Sequence, residues 1–199
     1  RQEKEPELRQ LSARAIGRSQ TVDLDGARCA VADSDPGVRF ALLTGFLGRK
    51  LLGPQREELS GILLPLLSQD RWPMVRRAAS EVLASTCQPG TAAQSALDKA
   101  VSDDDESVAA ASLAGLSRCV GAQGLSRYQS LLLDEKSKPS VRGQACVLVA
   151  RHGLSKSETA ANAHRAIGDG LSELLDDPHA VDRSLVAALL CIRALGEHG

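Results

Sequence analysis

The chain has 199 residues, of which 43% are hydrophobic and 25% charged, and its 24 Lys and Arg against 25 Asp and Glu leave a formal net charge of −1. This balance is ordinary for a globular protein and excludes a global basic field that would attract nucleic acid or anionic lipid. Aromatics are only 2% (Phe40, Phe46, Trp72 and Tyr128), so the core must be built from Leu, Val, Ile and Ala, which points to helices and away from a β-sandwich.

One pattern recurs along the chain: an acid, often a Pro, then Val-Arg, then small and apolar residues at helical spacing. The first copy is Glu5-Pro-Glu-Leu-Arg9, preceded by Glu3. Asp33-Ser-Asp-Pro-Gly-Val-Arg39, Asp70-Arg-Trp-Pro-Met-Val-Arg76 and Asp103-Asp-Asp-Glu-Ser-Val-Ala109 follow. The fifth, Lys138-Pro-Ser-Val-Arg142, comes after Asp134 and Glu135 with an altered turn, and the sixth is Asp176-Asp-Pro-His-Ala-Val-Asp182. The anchors Leu8, Val38, Val75, Val108, Val141 and Val181 are 30 to 40 residues apart.

Each unit reads as two helices. The first is apolar up to the acid, as in 58–67, 128–133 and 167–175. The second opens at the Pro, whose missing N–H costs nothing in a first turn. It continues with one apolar face, for example Val75, Ala78, Ala79, Val82 and Leu83. Gly48, Gly121, Gly153 and Gly196 are stop signals after second helices.

A helix pair with Asp in its inner turn, then Pro, then Val-Arg, resembles the HEAT repeat, and especially the bacterial HEAT-like repeats of the phycobilin-lyase type. The resemblance implies an all-α fold, an α-solenoid (superhelix) of about five to six helix pairs, forming a single repeat domain over 1–199. It also implies that the turn acids and helix-opening arginines form a structural ladder between neighbouring repeats. The matching positions are Asp33, Asp70, Asp103 and Asp176, with Arg39, Arg76 and Arg142, and Glu3 and Arg9 at the first copy. The pattern departs at Ala109 and Asp182, where the ladder is expected to break. The chemistry stands without the family, because a partly buried Asp needs paired donors and a forked guanidinium supplies them.

In a solenoid the concave face, lined in this family by second helices, is the usual binding face. Arg18, Arg49, Arg118, Arg151 and Arg193 fall 10 to 12 residues after their anchors and form a basic row. The row reads either as a stripe for an acidic partner segment or as cations complementing helix C-termini, each worth some tenths of a kcal/mol. A second basic spot, Arg71, Arg76 and Arg77, flanks Trp72 in a turn. Trp72 is either a binding hot spot or a cap on the core. The partner-binding candidates are therefore Arg49, Arg77, Arg118, Arg151, Arg193 and Trp72. The acidic run 103–106 does not fit an EF-hand loop and reads as the acid-rich start of a helix.

Catalytic motifs are absent: His152, His164, His179 and His198 show no metal-binding spacing, and no GxSxG, Walker or GxGxxG motif occurs. The expectation is a non-catalytic scaffold or adaptor with no cofactor and no metal. The alternatives are a phycobilin-lyase-like subunit assisting an enzyme, which rests on the resemblance alone, and, less favoured, a HEAT-like nucleic-acid binder. The five cysteines (Cys29, Cys87, Cys119, Cys146, Cys191) include no CxxC pair and read mainly as reduced core-fillers. That reading favours the cytoplasm over export. Disulfides in an exported protein are the alternative, with Cys87 and Cys119 near the ends of equivalent elements. No apolar run approaches the roughly 18 residues of a membrane span. The chain opens on Arg1, which reads as a processed or trimmed start. The apolar last helix, around 185–195, is a candidate for self-association.

Overall fold

The computed structural model describes residues 5–49, 54–134 and 136–153. Every regular element among them is helical: α1 (Pro6–Arg18), α2 (Leu24–Val31), α3 (Pro36–Phe46), α4 (Pro54–Gln69), α5 (Pro73–Thr86), α6 (Ala92–Ala100), α7 (Glu106–Val120), a 3-10 turn (Gly121–Gly124), α8 (Leu125–Leu133) and α9 (Pro139–Gly153). The chain divides into two compact units, Arg1–Cys119 and Val120–Gly199.

Local chemistry explains where the helices begin. Pro stands in the first turn of α1, α3 and α5. Asp23 caps α2 by accepting from the Gly26 amide at 2.9 Å, and Asp35 caps α3 through the Gly37 amide at 2.8 Å. Thr91 caps α6, while Gln94 reaches back to accept from the Gly90 amide at 2.7 Å. Asp105 accepts from the amides of Ser107 and Val108 at the start of α7.

In the first unit α1 packs on α3 and α3 on α5, while α2 packs on α4 and α4 on α6. Four of the anchors lie at helix starts with buried side chains: Val38, Val75, Val108 and, in the second unit, Val141. Leu8 differs, being 44% exposed. Val181 lies outside the described residues. In the second unit α8 packs on α9, and Tyr128 is buried between them and the 3-10 turn, its hydroxyl donating to the Gly121 carbonyl at 3.1 Å. Burial pushes its phenol pKa up.

α1 and α3 come into close backbone contact at two glycines. A Cβ on Gly17 would lie 2.5 Å from the Leu42 carbonyl oxygen, and one on Gly45 would lie 2.6 Å from that of Arg14. Backbone faces backbone there, so no side chain can yield.

The cysteines correct the expectation of reduced core-fillers. Cys87 and Cys119 form a disulfide with Cα atoms 5.3 Å apart, Cys146 is disulfide-bonded, and Cys29 is free and exposed. The repeat places Cys87 and Cys119 at matching ends of α5 and α7, which brings their Cα atoms within bonding range. Cys191 lies outside the described residues.

Candidate functional site

The turns that open α3, α5 and α7 share one construction. Asp33, Asp70 and Asp103 each accept from the amide two residues on, those of Asp35, Trp72 and Asp105, at 2.9 Å. Each carboxylate also receives a guanidinium from the preceding helix of the same row. Arg9 Nε meets Asp33 at 2.9 Å, Arg39 Nε meets Asp70 at 2.6 Å, and Arg76 holds Asp103 through Nε and Nη2, both at 2.8 Å. Arg39 and Arg76 turn their Nη1 groups back onto their own turns, donating to the carbonyls of Asp33 and Asp70 at 2.7 and 2.9 Å. One arginine thus ties its own turn to the next. The bond to Asp103 holds Arg76 protonated above its ordinary pKa. A hydroxyl hydrogen bond from Ser107, followed by backbone amides, lowers the Asp105 pKa.

The joint is most buried at Arg39–Asp70, whose side chains are 12% and 4% exposed. Arg9–Asp33 is the most open, at 21% and 16%. In the second unit Arg142 donates to the Leu132 carbonyl at 3.3 Å, and Asp134 accepts from the Lys136 amide at 3.0 Å. Ala109 has no group to donate. Asp176 lies outside the described residues.

A shallow polar depression of about 340 Å³ lies on this ridge, bordered by Ser68, Asp70, Arg76, Ser102 and Asp103. Asp104 borders it as well, while Asp70, Arg76 and Asp103 are committed to their ion pairs and to backbone groups. It is a shallow polar joint between two turns.

The candidate binding residues fall into two groups. Arg49 is drawn into the α1–α3 seam, where it donates to the carbonyls of Gly17 at 2.5 Å and Gln20 at 3.3 Å and lies 5.5 Å from the Phe46 ring centroid. Its charge satisfies the carbonyl end of α1. By contrast Trp72, Arg77 and Arg118 are exposed. Trp72 is 47% exposed at the start of α5, with Met74 beside it in sequence at 43%. Arg77 pairs with Glu81 at 3.1 Å along the exposed side of α5. Arg18 is exposed at the end of α1. Arg151, in the second unit, is exposed at the end of α9, beside His152, whose pKa is lowered by burial and then by the Arg151 charge. Arg193 lies outside the described residues.

Sequence reasoning missed one exposed residue and two buried contacts. Met74 extends the exposed apolar spot at the start of α5, and only its position before the buried Val75 signals this. Ser80 and Ser112 are buried and hydrogen-bond to each other at 3.1 Å, as do Ser60 and Thr86 at 2.6 Å. Hydroxyls inside an apolar helix face are the available signal, since a buried hydroxyl needs a partner. Among the described residues no group of three or more His, Cys, Asp or Glu side chains could hold a metal ion, and no helix is long and apolar enough to cross a membrane. Comparison with family models, with curated proteins and with solved structures finds no match for this chain.

Proposed function

We propose that this chain is a HEAT-like helical-repeat module, an α-solenoid that binds a partner protein along its row of second helices and performs no chemistry of its own. One observation carries the reading. Three successive turns of the first unit repeat the same Arg–Asp joint, which ties helix to helix and leaves Trp72, Met74, Arg77 and Arg118 exposed on those helices. Helices fixed at their turns form a pre-ordered surface, which lowers the ordering cost of binding. Exposed Trp and Arg are the residue types that most often dominate such surfaces. The exposed guanidinium of Arg118, at the far end of α7 from Trp72 and Met74, suits a partner segment that presents carboxylates at one end and an apolar side chain at the other.

The test separates binding from folding. Arg77→Glu and Arg118→Glu are combined with Trp72→Ala, and proteins captured from the source lysate by wild type and variant are compared by mass spectrometry. A partner retained by wild type and lost by the variant, with equal thermal midpoints, is the expected result. Identical captures reject the second-helix row as the site.

A further inference from the structure

The seam between α5 and α7 is closed in four places, and only the last is covalent. From the turn outward these are Arg76 on Asp103 at 2.8 Å, the Ser80 and Ser112 hydroxyls at 3.1 Å, Ala84 against Gly115 and the Cys87–Cys119 disulfide. The two sulfurs differ in access. Cys119 is 7% exposed, whereas Cys87 is half-buried at the end of α5 and followed by the exposed residues Gln88, Pro89 and Gly90. An external thiolate therefore reaches Cys87 Sγ first. The bond spans a sequence separation of 32 that includes the whole of α6, so it restrains a long segment through its far end. Arg118, exposed on α7, precedes Cys119 directly.

We propose that Cys87–Cys119 is a redox-gated clasp: a dithiol reductant opens it and loosens the C-terminal end of α7, while the Arg76–Asp103 end of the seam stays closed. The thiolate of the dithiol attacks Cys87 Sγ, and the protein S–S bond breaks. Cys119 leaves as a thiolate and takes up a proton. The second thiol of the reductant then displaces Cys87 from the mixed disulfide. The reductant ends as a disulfide, two electrons pass to the protein, and two protein thiols result. Oxidising compartments keep such a bond closed, and reducing ones open it. Loss of the restraint raises the population of locally opened α7 ends without unfolding the helix row, because the other three contacts are independent of the sulfurs.

Trypsin supplies the probe, since Arg118 stands at the clasp and Arg18 stands at the end of α1 as an internal control. The full chain is digested under native conditions with and without dithiothreitol, and amide exchange is followed in parallel over 113–119. Reduction is expected to raise cleavage after Arg118 at least about tenfold, leave cleavage after Arg18 unchanged, and reverse on reoxidation. Cys87→Ser combined with Cys119→Ser is expected to show the fast cleavage without reductant and no further response to it. A response that persists in this double variant would assign the effect to the Cys146 disulfide and overturn the proposal. Equal cleavage after Arg118 in both redox states overturns it too, as does a parallel rise at Arg18, which means global unfolding. Should the double variant fail to fold, Cys146→Ser separates the two bonds: the response to dithiothreitol after Arg118 is expected to persist in it, and its loss overturns the proposal.

Discussion

The α1–α3 and α5–α7 seams meet the same demand with different chemistry. Both open on an Arg–Asp pair, Arg9–Asp33 in one and Arg76–Asp103 in the other. At the far end α1–α3 is closed by direct backbone contact between Gly17 and Gly45, with Arg49 on the last carbonyls of α1. The α5–α7 seam is closed by the Cys87–Cys119 disulfide. A glycine contact works by leaving out atoms, so it tolerates no added methyl. A disulfide works by adding a bond, so it tolerates neighbouring substitutions but answers to the redox state. Two helices held at both ends cannot splay, and either device supplies the second hold.

The largest effect should come from breaking the glycine contact. Gly45→Ala is expected to cost about 3 kcal/mol in urea unfolding, near the top of the overpacking range, because the new methyl meets the Arg14 carbonyl rather than a movable side chain. A cost under about 1 kcal/mol would mean that α1 shifts freely on α3. Next comes Arg39→Ala, expected to cost about 2.5 kcal/mol, since it leaves the 4% exposed Asp70 side chain without its guanidinium. Arg9→Ala, at the more open pair, should cost about half of that, and equal costs would break the link between burial and strength.

Arg49→Met sharpens the comparison at the far end of α1. It keeps the apolar stem, removes the donors to Gly17 and Gln20, and is expected to cost about 1 kcal/mol. No loss of stability would return Arg49 to the binding row. The smallest effect concerns Asp105, whose folded pKa lies below the unfolded value. Its contribution is present above the unfolded carboxylate pKa and is lost as pH falls through the folded one. Urea midpoints at pH 5 and pH 3 should fall less for Asp105→Asn, which keeps a capping oxygen, than for the wild type.

The all-helical character was legible because it needs only composition and a 3.6-residue period. Val38, Val75, Val108 and Val141 stand out as apolar residues just after helix-opening positions, and each is buried. The residue types of the turn joint were legible from the constant interval between acid and arginine. That Asp33, Asp70 and Asp103 also fold back onto the amides of Asp35, Trp72 and Asp105 was not, because backbone donors carry no sequence signature. Arg49 and Arg118 look equivalent by spacing, yet one is spent on helix-end carbonyls and the other is exposed. The local exit of the chain after α1 decides this, and residue spacing along the sequence does not encode it.

By itself the sequence determined helix starts, the apolar face of each helix and the repeat that sets like residues at like heights. These depend on contacts within a turn or two, so neighbouring residues suffice to specify them. Only the tertiary structure decided how each seam closes. Gly17 meets Gly45, Ser80 meets Ser112 and Cys87 bonds Cys119 because helices distant in sequence lie side by side at a particular separation. That separation is set by the packed side chains of the whole row, and a difference of an ångström or two distinguishes a bonded pair of cysteines from two buried thiols.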